Sequence, residues 1–213
     1  LSLARLGFSH AAVEYLFNVA KNRTRPEILP DALAEIEALM KKPHDEDLLD
    51  RALIADGEFG YLPAGVVDFV AYHQGLRELR DEKAAWAERL FGKIREESPY
   101  RPLSLHALAV HRLRRNSTTE AVLLFRRALA HPSADREIRN QARLALARIL
   151  YENQRWDAAL ALYEGVEVPE LSTAEASVFL EKAWTHYWLG DFRKTMGILY
   201  ALEAHYAKVV VAS

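Results

Sequence analysis

One helical pattern appears twice in succession between residues 140 and 203. Its first copy runs from Gln141 to Tyr151, breaks at polar residues 152–155 and resumes from Trp156 to Tyr163. The second runs from Ala176 to Tyr187, breaks at 188–191 and resumes from Phe192 to Leu199; the aromatic after the break recurs after 36 residues. Two short helices repeated at this period cannot bury their apolar faces alone, and successive pairs must stack to do so. The expected fold is therefore an all-α helical solenoid, an architecture that usually binds other proteins.

The pattern extends backwards from this pair. Helices are expected at about 65–80, 83–97, 102–115, 118–131, 135–153, 156–166, 173–189 and 192–206, with Pro99, Pro102, Pro132 and Pro169 between successive pairs, where a missing N–H costs little. Ser172 or Thr173 caps the seventh of these. The first 65 residues follow more loosely. A helix reaching Ala20 after a turn at 6–8 would bury Ala11, Ala12, Tyr15, Leu16 and Val19. One starting at Pro30 would bury Leu33, Ile36, Leu39 and Met40, and one from Asp45 to Asp56 would bury Leu48, Leu49, Leu53 and Ile54. Residues 57–65 hold three Gly and one Pro around Phe59 and Tyr61 and read as an irregular loop. The organisation is thus a degenerate helical region over 1–65, four hairpins over 66–206 and a β-branched tail over 207–213.

Composition narrows the function classes. Half of the 213 residues are hydrophobic, which excludes a disordered chain, and the longest apolar run is too short to span a bilayer. Cysteine is absent, which removes disulfides, thiolate metal sites and a thiol nucleophile. The start at Leu1 implies a removed leader or a piece of something longer, hence a processed periplasmic or envelope-associated protein or an excised domain, and Ala, Leu and Arg richness suggests a bacterial source. A net charge of −2 conceals a division: residues 1–100 carry −5, residues 101–155 carry +7 with 11 Arg and no Lys, and residues 156–213 carry −4. Nucleic acid is not the expected partner of a chain that is acidic overall.

The hairpins resemble the tetratricopeptide repeats over about residues 66–206. The small residue midway along each first helix would be Gly75, Ala109, Ala147 and Ala183. The second-helix small positions would be Ala87, Ala121, Ala159 and, as a departure, Thr195, with Phe91, Phe125, Tyr163 and Leu199 four residues on. Lys182 and Thr118 also depart from the pattern. The resemblance implies a right-handed α-α superhelix with a concave groove lined from the first helices, where Tyr72, Leu76, His106, Val110, Arg148, Tyr151, Trp184 and Tyr187 would stand. It implies no cofactor.

No catalytic or metal constellation is legible. His106 and His111 are five apart and diverge on a helix, no Gly-rich phosphate loop sits between strand and helix, and no Ser has a readable His/Asp partner. The expected activity is non-enzymatic: a protein-interaction scaffold that holds a peptide or partner protein through Tyr72, His106, Arg112, Arg148, Tyr151, Trp184 and Tyr187. Trp156 and Phe192, at second-helix starts, are expected to pack internally. Two alternatives remain at this point. One is a self-associating module of a larger envelope or motility assembly. The other is a sensor that takes an acidic peptide or anion through Arg112, Arg115 and Arg148, guanidinium being suited to carboxylate and phosphate.

Overall fold

A computed structural model describes residues 8–21, 26–40, 63–170 and 172–211. The expected helix 45–56, most of the loop 57–65 and the turn at 6–8, apart from Phe8, lie outside the described residues. Those described form ten α-helices and one 3-10 turn, with no strand among them. They are α1 (Ser9–Lys21), α2 (Leu29–Met40), α3 (Ala64–Arg80), α4 (Ala84–Phe91), α5 (Tyr100–Arg114), α6 (Thr118–Ala130), α7 (Arg136–Glu152), α8 (Trp156–Glu164), α9 (Thr173–Trp188) and α10 (Phe192–Val211). The chain divides into two compact units, Leu1–Ser104 and Leu105–Ser213.

Four hairpin turns share one backbone solution. The chain passes through the left-handed region at Glu82 (φ 60°), Asn116 (φ 59°), Gln154 (φ 58°) and Gly190 (φ 77°). The residue after each donates its N–H to the carbonyl five positions back: Lys83 to Glu78, Ser117 to Arg112, Arg155 to Leu150 and Asp191 to His186. This closes the end of the first helix with main chain alone. Each turn residue stands five positions before Ala87, Ala121, Ala159 or Thr195, so helix starts and packing positions keep one phase.

Unit 1 is built on apolar faces of α1 to α4. On α1 the buried residues are Ala12, Val13 and Phe17. Tyr15, expected inside, is 64% exposed: the face is turned so that the fully apolar Phe17 enters the core and the phenol stays wet. On α2, Leu33, Ile36 and Leu39 are buried as spaced, together with Ala32. Gly75 and Phe91 are complementary, since a Cβ at Gly75 would lie 2.2 Å from the Phe91 ring. Gly75→Ala is therefore expected to destabilise by roughly 1 kcal/mol net, overpacking of about 1–3 kcal/mol outweighing about 1 kcal/mol of gained helix propensity. Urea denaturation should show the loss vanishing when Phe91 is also replaced by Leu.

The second helix of this hairpin stops at Phe91, not near 97 as its pattern suggests. The cause is a carboxylate buried inside the unit. Asp68 is 1% exposed, and it accepts from the backbone N of Arg95 at 3.1 Å, from Nε at 2.9 Å and from Nη2 at 2.6 Å. A desolvated carboxylate needs such partners. Gly92, a weak helix former, releases the chain so that Arg95 can reach it.

Unit 2 comprises α6 to α10 and most of α5. One core joins Ala109 of α5, Ala121 and Phe125 of α6, and Ala142, Leu146 and Ile149 of α7; a second joins Ala147 with Ala159 and Tyr163 of α8. The residues expected to be small are all buried, and Thr195 fits by donating its hydroxyl to the Ala183 carbonyl at 3.3 Å. Asp135 caps α7 by accepting from Ile138 N at 2.8 Å, and Ser172 caps α9 by accepting from Glu175 N at 3.0 Å. Asn140 pins the α8–α9 connection by accepting from Glu167 N and donating to Glu167 O, while Arg143 donates to Gly165 O at 2.6 Å. The expected tail is helical instead: α10 runs through Val211. Valine costs a helix only about 0.5–0.7 kcal/mol, and no Gly or Pro intervenes after Gly197.

Candidate functional site

Large hydrophobic side chains are left exposed mainly on α9 and α10: Leu180, Trp184, Tyr187 and Trp188 on the first, Phe192, Met196, Leu199 and Tyr200 on the second. Each set follows i, i+4, i+7, i+8 spacing, which gathers it into one stripe along its helix. Phe192 therefore corrects the expectation of internal packing, since it is 59% exposed. Its ring meets the edge of Tyr187, and among the described residues no further helix covers that side of α10.

Where α7, α8 and α9 meet, the rings form a fixed array. Trp156 stacks on Trp188 with centroids 5.9 Å apart and planes 12° apart, and Trp188 donates Nε1–H to the Tyr151 hydroxyl at 2.8 Å. Tyr187 stands edge-on to Trp184, Trp188 and Phe192 at 5.8, 5.5 and 5.5 Å. Such offset and T-shaped pairs each contribute about 0.5–1.5 kcal/mol beyond burial, enough to hold the rings in place. Trp184, Tyr187 and Trp188 remain 51%, 43% and 51% exposed.

An ion pair one turn away ties the same helices. Arg148 of α7 holds Glu181 of α9 through Nε at 3.1 Å and Nη2 at 2.6 Å. The Glu181 carboxylate raises the Arg148 pKa, and the hydroxyl of Tyr163 is raised chiefly by burial and further by the same carboxylate. The forked contact fixes geometry more than it adds stability, because both partners are partly exposed.

Of the residues singled out by sequence, Arg148, Tyr151, Trp184 and Tyr187 are thus brought together, with Trp156, Trp188 and Glu181 added by the structure. His106 stands apart, half-buried against Phe125 with centroids 5.3 Å apart and its pKa lowered by burial. Arg112 is engaged by Glu120 at 3.1 Å. Tyr72 belongs to unit 1, where it packs among His73, Phe91 and Tyr100, and burial followed by the Glu37 charge pushes its hydroxyl up to about 12. Trp188 was within reach of the sequence, since it lies four residues after Trp184, but its place beside Leu189 and Gly190 assigns it to the turn.

Among the described residues no group of His, Asp and Glu has the arrangement of a metal site, and no helix is long and apolar enough to cross a membrane. The chain is an all-α protein carrying an exposed aromatic array. The crystal structure of BtubC (BKLC) from P. vanneervenii resembles it with a TM-score of 0.69 at 16% identity, over 98% of this chain and 92% of that one, a likeness of fold. No family model matches the sequence, and no curated protein matches it.

Proposed function

We propose that the chain is a non-enzymatic interaction scaffold that holds a peptide or the surface of a partner protein against the α7–α9 array of unit 2. The observation that carries this reading is that Trp184, Tyr187 and Trp188 stay about half exposed while ring stacking, the Tyr151 hydroxyl and the Arg148–Glu181 fork fix their surroundings. Aromatic side chains dominate the affinity of protein interfaces, and rings that are already ordered lose little entropy when a ligand arrives. The repeated turn at Glu82, Asn116, Gln154 and Gly190 supports a further part of the proposal, that the hairpins form a right-handed superhelix of the tetratricopeptide kind. On that arrangement first helices line the groove, and the array lies on two of them.

The role of Arg148 follows from its partner. With its guanidinium held by Glu181, it shapes the array and does not offer a free cation to an anion. The test is selection of binders from a random peptide library on the immobilised protein. The combined change Trp184→Ala and Tyr187→Ala is expected to weaken selected peptides at least about a hundredfold, as loss of two anchors implies. Both side chains are exposed, so circular dichroism should stay unchanged. Peptides held equally by the variant would remove the site from this face.

A further inference from the structure

The stripe on α10 faces away from its own hairpin. Ile198 and Leu202 are partly buried and Thr195 is buried, while Phe192, Met196, Leu199 and Tyr200 are 59%, 47%, 38% and 62% exposed. Earlier hairpins show what such a position receives. Phe125, equivalent to Leu199, is 0% exposed because Ala142, Leu146 and Ile149 of the following helix α7 close over it. Tyr163, at the same position in the next hairpin, is 1% exposed, with the Glu181 carboxylate of α9 acting on its hydroxyl. The face of α10 is therefore shaped to take a helix.

We propose that this helix is α10 of a second copy, packed antiparallel about a two-fold axis passing between Met196 and Leu199. Charge specifies the direction. Arg193 and Glu203 flank the stripe at its two ends, and neither has an ion-pair or hydrogen-bond partner among the described residues, whereas Lys194 is engaged by Asp191 at 3.2 Å. An antiparallel pairing centred between Met196 and Leu199 sets each Arg193 beside Glu203 of the second copy, twice by symmetry. A parallel pairing sets Arg193 against Arg193. Size fits a reversible contact: the four open side chains of the α10 stripe, Phe192, Met196, Leu199 and Tyr200, offer less than the roughly 800 Å² per partner of a stable complex. The two-fold arrangement uses the same patch on both copies and closes on itself, so the product is a dimer and not a filament.

Sedimentation velocity over a wide concentration range tests this on the intact chain. The expected result is a reversible monomer–dimer equilibrium, with Met196→Glu plus Leu199→Glu giving a monomer of unchanged helicity, since both side chains are exposed. Arg193→Glu should raise the dimer dissociation constant at least about tenfold by making two contacts repulsive, and adding Glu203→Arg should restore it. A monomer at every concentration, an open-ended series of larger species, or a double charge reversal no tighter than Arg193→Glu would overturn the pairing. Because the peptide array is altered by none of these changes, peptide capture by the monomeric variant separates this proposal from the preceding one.

Discussion

Replacing Phe125 by Ala is expected to lower the unfolding free energy of unit 2 by about 3–5 kcal/mol, the usual cost of emptying a buried aromatic site. The ring is 0% exposed and is enclosed by Ala109, Ala121, Ala142, Leu146 and Ile149, drawn from three helices. Backbone packed on every side cannot collapse into the space, so the cost falls toward the upper part of that range. Against a typical domain stability of about 5–15 kcal/mol, the change removes from about a fifth to nearly all of it. Urea denaturation followed by tryptophan fluorescence reports it directly, because Trp156, Trp184 and Trp188 all lie in unit 2. Leu123→Ala, at a side chain 57% exposed, is the control and should shift the curve by less than about 0.5 kcal/mol. A loss below about 1 kcal/mol at Phe125 would contradict the packing described.

The second large effect is acid sensitivity of unit 1. His73 is enclosed by Phe69 and Tyr72, its Nε2 has no hydrogen-bond partner among the described residues, and burial lowers its pKa from 6.5 to about 4. Between these values the unfolded chain binds a proton that the folded unit refuses. Stability from this group is therefore complete above pH 6.5, falls as the pH drops toward 4 and changes no further below that. The full loss is on the order of 3 kcal/mol. Urea curves at pH 7 and pH 4.5 should show most of it, and His73→Phe should flatten that part of the slope. An equal slope in the variant would assign the acid sensitivity to other groups.

Much of the helix pattern was legible because polar breaks and prolines punctuate it. All eight helices expected after residue 64 occur, and seven of their starts fall within one residue of where the pattern sets them, α5 beginning two residues early at Tyr100. The small positions were legible for a different reason: two helix backbones approach closely only at Gly, Ala or Thr, so volume constrains the residue type; of the large positions Phe91, Phe125 and Tyr163 are buried, whereas Leu199 is 38% exposed. What escaped depends on partners far along the chain. The early stop of α4 answers to Asp68, 27 residues before Arg95, and no local pattern announces a pairing at that separation. Of the site, the spacing of Arg148 with Tyr151 and of Trp184 with Tyr187 placed each pair on one face of its helix. The exposure of Phe192 was not legible, because burial at a second-helix start is decided by whatever covers it and not by the residue itself.

The repeated turn has a consequence for how such a chain changes over time. Glu82, Asn116, Gln154 and Gly190 range from a carboxylate through carboxamides to no side chain at all, yet they hold one conformation through a main-chain bond. Mutation can therefore erase the resemblance between hairpins at these points without disturbing their phase. A gene that gains or loses the segment between two equivalent turns rejoins identical backbone on both sides, which makes the whole hairpin, and not the single residue, the natural unit of inheritance.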